Sequence, residues 1–76
     1  MYAVFEFRTN EQGVMIIVDP VFKTDNEVYA QNKIFTLAAA AVGSNVHVHT
    51  ILCLNEYGNP MFGTPMYFEH PAPAAE

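Results

Sequence analysis

The stretch that decides the fold is VHVHTILCL, residues 46–54. It is rich in β-branched and apolar residues, and the glycine- and asparagine-containing segment that follows is typical of a turn, so the stretch predicts a β-strand. Alternate side chains of a strand point to opposite faces, and both faces of this one carry apolar residues. A strand with one solvated face alternates apolar with polar residues instead. The pattern therefore indicates a strand that is covered on both sides.

A hairpin partner follows on the C-terminal side. Residues 55–59 (NEYGN) form a predicted turn, and residues 61–69 (MFGTPMYFE) predict a second strand of this hairpin. Proline has no amide hydrogen to donate to a neighbouring strand, so Pro60 and Pro65 place this strand at an edge of the sheet.

The N-terminal part predicts a second hairpin. Residues 2–8 (YAVFEFR) and 14–18 (VMIIV) have the composition of strands, and the polar segment 9–13 between them ends in glycine. The connection is short enough for the two strands to pair directly. Residues 14–18 are apolar at every position, so this strand also presents two apolar faces.

A helix is predicted between the hairpins, over residues 25–42. Thr24-Asp25-Asn26-Glu27 fits a capping box with Thr24 as the N-cap, and Gly43 stands where a left-handed C-cap belongs. Residues at helical spacing predict the buried face: Val28, Phe35, Ala38, Ala39 and Val42, widened by Ala30, Ile34, Leu37 and Ala41.

The element order β-β-α-β-β predicts an α+β fold, a four-stranded antiparallel sheet with one helix packed on one face. We expect residues 1–70 to form one domain and residues 71–76 to be a disordered Pro/Ala tail. Ala3, Phe5 and Phe7 are predicted to point toward the helix. A single helix covers a single face, so the apolar residues of the opposite face need another cover.

Composition indicates that the cover is a second copy of the chain. The 76 residues are 51% hydrophobic and 14% charged, and Cys53 is the only cysteine, which excludes an internal disulfide. Domains this small are usually stabilised by disulfides, by a metal or by a partner subunit. The sequence thus predicts a homo-oligomer built on the helix-free face. Val48→Asp should dissociate or unfold it, with His49→Asp as the counterpart if the strand faces the other way. The alternative is edge-to-edge extension of the sheet, which Pro60 and Pro65 disfavour at the last strand.

The charge distribution excludes two classes of partner. The net charge is −5, and the three basic residues, Arg8, Lys23 and Lys33, are scattered along the sequence. Nucleic-acid binding and anionic membrane surfaces both require clustered basic residues, so neither partner is expected. The N-terminal residues lack the order of a signal peptide, and no apolar run is long enough to span a bilayer. A single cysteine suits a reducing compartment, so we expect a cytoplasmic protein.

The histidines provide a candidate metal site. His47 and His49 alternate along the predicted strand and therefore share a face. A turn around Tyr57-Gly58 would place residue 68 opposite His47 and residue 66 opposite His49. His70 would then lie diagonal to His47, or Glu69 would if the register slips by one. Three such ligands with one open position resemble a catalytic zinc site. The alternative interpretation is a polar patch inside an interface. No cofactor is otherwise expected.

Other reactive groups do not predict catalysis. Cys53 lies four residues from His49 on the same strand, too far for direct contact, and a free cysteine is usually a small buried hydrophobe. Asp19, Asp25 and Glu27 cluster at the start of the helix, where capping accounts for two of the three. The sequence therefore predicts a non-enzymatic protein with no catalytic residues.

Aromatic residues predict the binding surface. Tyrosine combines rigid contact area with a polar tip and is common at interfaces. Tyr2, Tyr57 and Tyr67 are the candidate binding residues, and Tyr57, at the tip of a turn, is the best candidate for an exposed anchor. The phenylalanines at positions 5, 7 and 35 are expected in the core.

The sequence resembles a group of short proteins from bacteriophages and mobile elements of gut bacteria over about residues 1–70. The matching segments are Met1-Tyr2-Ala3-Val4, Asn26-Glu27, the small residues 38–43, and Cys53-Leu54-Asn55-Glu56-Tyr57-Gly58. The resemblance implies a phage-like origin in a bacterial host cell and brings no catalytic residues with it.

Three functions follow from these observations. The first is an oligomeric interaction protein that binds a host protein. The second is an oligomer that sequesters a small, nucleotide-like molecule at subunit junctions. The third, weaker one is a metal-dependent site on the His-x-His strand.

Overall fold

The secondary structure is given by a computed structural model that describes residues 1–71. The predicted tail falls on residues 72–76, outside the described residues, apart from the exposed Pro71. The elements in chain order are β1 Tyr2–Thr9, β2 Met15–Ile17, β3 Phe22–Thr24, α1 Glu27–Val42, β4 Val48–Leu54 and β5 Met66–Glu69.

The strands form one antiparallel sheet in the order β2-β1-β4-β5, and β3 also pairs with β1. The α+β class is confirmed, as is the single helix on one face of the sheet. The sheet has five strands rather than the predicted four, because β2 and β3 share one edge of β1 and pair with its two ends. Three residues are too few to show the alternation by which a strand is recognised, which is why β3 escaped prediction.

The predicted orientation of β1 is wrong. Val4 lies opposite Cys53 and is 2% exposed, so the even-numbered residues of β1 face the helix. Ala3, Phe5 and Phe7 point to the opposite side. Both sides of this strand carry large apolar residues, so its alternation indicates a strand without indicating which side is the core.

The helix also turns a different face to the sheet. Ala30, Ile34 and Ala41 are buried against the sheet, whereas Val28, Phe35 and Val42 are 61%, 67% and 64% exposed. The predicted face was therefore wrong at Val28, Phe35 and Val42. The contact is formed by its widening residues together with Ala38, and the alanine side chains let the helix backbone come close to the strands.

The hydrophobic core lies between α1 and the inner strands. Ile51 and Cys53 are fully buried at its centre, where the side chains of β4 meet the helix. The core cluster is formed by Val4, Ala30, Ile34, Ile51 and Cys53, with Tyr2, Phe22, Leu37, Ala38, Met61, Phe62, Met66 and Phe68 packed around it.

Asn26, not Thr24, is the N-cap of α1. The Asn26 side chain accepts a hydrogen bond from the Tyr29 amide at 3.1 Å, while Thr24 pairs with Tyr2 as the last residue of β3. The Thr24 hydroxyl accepts instead from the Asn26 amide at 3.0 Å. Gly43 ends the helix with φ −91°, so the predicted left-handed cap is absent. Because Thr24 belongs to β3, the helix begins at Glu27, two residues after its predicted start at residue 25.

The N-cap gives a direct stability prediction. Asn26→Ala should lower the free energy of unfolding by about 1 kcal/mol, because the first-turn amide of Tyr29 loses its acceptor. Asn32→Ala removes the same side chain from the exposed middle of α1 and should cost nothing, since alanine is the better helix former. Urea unfolding of both variants measures the difference. Equal stabilities for the two would place the helix start elsewhere.

The second hairpin differs from its prediction in length and register. Residues 55–59 form the predicted turn, in which the Gly58 amide donates to the Asn55 carbonyl at 3.0 Å. A second tight turn follows at residues 61–64, where Phe62 and Gly63 have φ 59° and 75°. This turn shortens the last strand to β5, and His49 pairs with Phe68 rather than with residue 66.

Candidate functional site

The helix-free side of the sheet carries a continuous apolar surface, which we call the open face. Phe5 lies opposite Leu52 and Phe7 opposite Thr50 at its centre, and the Phe5 and Phe7 rings stack with centroids 6.3 Å apart. No helix of the described chain covers this side. Strand pairing assigns to it the apolar residues Ala3, Phe5, Phe7, Met15, Ile17, Val48, Leu52, Leu54 and Tyr67, together with Thr9, Thr50, Lys23 and Glu69.

Charged residues stand only at opposite ends of the open face. Lys23 pairs with Ala3 at the β3 edge, and Glu69 pairs with Val48 at the β5 edge. Between these corners the paired residues are apolar apart from the uncharged Thr9 and Thr50. Nine of the thirteen residues of the open face are hydrophobic, counting alanine and tyrosine. A surface with an apolar centre and charges at its rim has the composition of a protein–protein interface.

The three predicted binding tyrosines lie in three different places. Tyr67 is 72% exposed and belongs to the open face, and Tyr57 is 79% exposed in the turn between β4 and β5. Tyr2 is half-buried and packs its ring against Phe62, with the centroids 5.3 Å apart. Two of the three are thus available for contact, while Tyr2 belongs to the packing on the helix side.

The three histidines of the predicted metal site do not converge. The His47 side chain hydrogen-bonds the His70 carbonyl through Nδ1, and His70 Nε2 donates to the Ala41 carbonyl at the end of α1, at 2.7 Å. His49 is turned into the core, where it is 3% exposed. Within residues 1–71, no group of three His, Cys, Asp or Glu side chains is placed to hold a metal ion.

His49 is the centre of a buried polar network instead. Its Nδ1 lies 3.2 Å from Glu6 Oε2, and its Nε2 lies 3.1 Å from Ser44 Oγ. Glu6 comes from β1 and Ser44 from the loop after α1, so the imidazole connects three separate segments. Sequence reasoning missed both partners. The available signal was Glu6 itself, a carboxylate in the middle of an apolar strand.

The order carboxylate, imidazole, hydroxyl is the one in which a serine can be activated as a nucleophile. Here the Ser44 hydroxyl also accepts a hydrogen bond from the Val46 amide at 3.0 Å, and the imidazole is almost completely enclosed. Buried polar groups must be hydrogen-bonded to be tolerated. The network fulfils that need, and it fixes the loop after α1 to the sheet.

A cleft of about 500 Å³ lies beside this network, between the β1–β2 turn and the loop that precedes β4. Ser44 lines both the cleft and the network. The cleft offers hydroxyl, amide, carboxylate and imidazole groups, which can bind a small polar molecule through hydrogen bonds. Its lining consists of Thr9, Asn10, Glu11, Ser44, Asn45, Val46 and His47.

Cys53 is placed as a structural residue. Its side chain is fully buried, and burial raises the pKa of its thiol because the thiolate loses hydration. The thiol therefore stays protonated and unreactive near neutral pH. The backbone of Cys53 pairs with Thr64, whose hydroxyl accepts from the Cys53 amide at 2.9 Å. The Thr64 hydroxyl thus supplies hydrogen bonds that a neighbouring strand would otherwise make to the Cys53 backbone, because β5 begins only at Met66.

In the part of the chain that the structure describes, no helix is both long enough and apolar enough to cross a membrane. Comparison of the chain with protein-family models, with curated proteins and with solved structures found no match in any of the three.

Proposed function

We propose that the protein is a non-enzymatic interaction protein that self-associates through the open face and binds a protein of its bacterial host cell. The observation that carries the proposal is the uncovered apolar side of the sheet. Soluble monomers rarely expose a contiguous apolar patch larger than a few hundred Å². Nine neighbouring apolar residues on four strands, of which Met15, Ile17 and Tyr67 are 44%, 42% and 72% exposed, support a patch of that kind.

A second copy of the chain fits the open face well. Two such faces related by a two-fold axis cover each other with the same residues and leave no apolar side exposed. The charges support this arrangement, because Lys23 and Glu69 stand at diagonal corners. A two-fold axis perpendicular to that diagonal brings the lysine of one copy over the glutamate of the other. Such rim pairs favour one orientation more than they add affinity.

The host partner is proposed to bind at the turn that carries Tyr57. This ring is 79% exposed and lies outside the open face, so it stays accessible after self-association. Tyrosine is frequent among the residues that dominate binding energies. The resemblance to short phage proteins favours a host protein in the bacterial cytoplasm as the partner.

Affinity purification from host cells tests the partner. We expect one stoichiometric protein to be retained by the wild type and lost with Tyr57→Ala. Phe35→Ala is the matched control, because Phe35 is an aromatic residue that is 67% exposed in the second half of the helix. Retention of the same partner by both variants, or by neither, would contradict a binding role for Tyr57.

A second candidate function is the sequestration of a small, nucleotide-like molecule. The cleft beside Ser44 favours it, since it groups several hydrogen-bonding side chains around one concave volume. Native mass spectrometry of protein purified from cells distinguishes the two functions. A retained mass of a few hundred daltons would favour the small molecule, and an assembly whose mass is accounted for by its chains alone would favour the interaction protein.

A further inference from the structure

The edge strand β2 carries an unusual concentration of exposed apolar residues. Val14, Met15, Ile16 and Ile17 are 57%, 44%, 40% and 42% exposed. β2 is the last strand on its side of the sheet, and β1 is its only neighbour among the described strands. Natural edge strands are normally protected by charges, prolines or bulges against pairing with another chain. The three residues of β2 have no such protection.

The hydrogen bonds to β1 show which backbone groups of β2 point outward. The Asn10 amide donates to the Val14 carbonyl and the Val18 amide donates to the Glu6 carbonyl, both at 2.8 Å. Hydrogen-bonded pairs alternate along an antiparallel ladder, so Ile16 also bonds toward β1. The amides and carbonyls of Met15 and Ile17 therefore face away from the sheet. They offer two donors and two acceptors to another strand.

The outward groups are self-complementary in one register. If Ile16 lies opposite Ile16 of a second copy, Met15 pairs with Ile17 twice, and all four outward groups of each strand are used. The charges favour this register over its neighbour. Centring the pair on Met15 would place Asp19 opposite Glu11 twice, whereas centring it on Ile16 places Asp19 opposite Gly13. Like charges directly opposite each other destabilise a strand pair.

We propose that β2 pairs antiparallel with β2 of a second copy about a two-fold axis at Ile16, forming one continuous sheet across two chains. This contact is separate from the open-face contact and does not depend on it. Edge pairing leaves both sides of the sheet accessible, and its axis is perpendicular to the sheet, whereas the axis of a face-to-face pair lies in the plane of the interface. The two contacts can therefore exist in one assembly, in which the open faces of two paired chains are continuous.

A charge at the two-fold axis tests this pairing. Ile16→Lys brings two lysines side by side, next to Arg8 on each β1, and should halve the mass of the wild-type assembly. An equimolar mixture of Ile16→Lys and Ile16→Glu should restore the mass, because opposite charges then meet at the axis. Native mass spectrometry identifies the mixed species directly, since the two chains differ in mass.

A second variant tests the same pairing in case Ile16→Lys fails to fold. Ile17→Pro removes an outward amide without removing a hydrogen bond to β1, and proline keeps this position of the open face apolar. It should therefore also halve the mass while thermal unfolding stays cooperative. Unchanged masses for Ile16→Lys and Ile17→Pro, or no recovery on mixing, would overturn the proposal and leave the edge to a strand of another protein. The mass of Ile16→Lys is also measured in a chain that carries Leu52→Asp, which disrupts the open-face contact. A further loss of mass in that background then reports the β2 contact alone.

Discussion

Replacing Leu52 by aspartate should reduce the mass of the protein in solution by at least half and leave the fold intact. Leu52 lies opposite Phe5 in the middle of the open face and makes no part of the core cluster. In the separate chain the new carboxylate reaches water, since Leu52 is only partly buried there, but in the assembly it would be buried without a partner. Burying an unpaired charge costs several kcal/mol or more, which exceeds what a small interface can offset. Sedimentation velocity measures the mass, and circular dichroism reports the fold.

The control for this experiment is Val28→Asp. Val28 is 61% exposed, lies on the helix and is apolar like Leu52, but it is not part of the open face. Its substitution also places a favourable negative charge in the first turn of α1. We expect the wild-type mass for Val28→Asp. If Leu52→Asp had the same mass as this control, the open face would not be the contact surface.

The second large effect is expected in the core, where Ile51→Ala should lower the free energy of unfolding by about 2–5 kcal/mol. Ile51 is fully buried, pairs with Glu6 on one side and Met66 on the other, and belongs to the cluster between β4 and α1. A chain of this size loses on the order of 10 °C or more in Tm for such a change. Denaturant unfolding in the Leu52→Asp background removes the contribution of the open-face contact.

Val42→Ala serves as the comparison for the core substitution. Val42 is also an aliphatic β-branched residue, but it is 64% exposed near the end of the helix. Its truncation should change the free energy of unfolding by only a few tenths of a kcal/mol, as is usual for surface positions. Similar losses for Ile51→Ala and Val42→Ala would mean that the core lies elsewhere.

The strands and the helix could be predicted from composition, while their orientation could not. Residues 46–54 carry β-branched and apolar residues in a run that fits a strand, and the structure places β4 there. Because both sides of this strand carry apolar residues, the sequence alone did not indicate which side faces the helix. That choice depends on pairing between Val4 and Cys53, residues distant in sequence, and on the small residues of α1 that admit close packing.

The polar interior was harder to foresee for the same reason. Glu6 and Ser44 bond His49 only because the fold brings three separate segments together. His47 and His70, which were predicted to join it around a metal, are held by backbone carbonyls at the end of the sheet. The H-x-H spacing correctly placed His47 and His49 next to each other at β4. Spacing within one strand does not determine which residues of other segments contact the two side chains.

Sedimentation equilibrium of the wild-type chain at micromolar concentration tests the central claim most directly, since self-association covers the apolar side of the sheet. We predict a mass that is a whole multiple of the 8.5 kDa chain, two copies or more. A mass near 8.5 kDa at the same concentration would contradict the account, because the open face would then be stable in water without a partner.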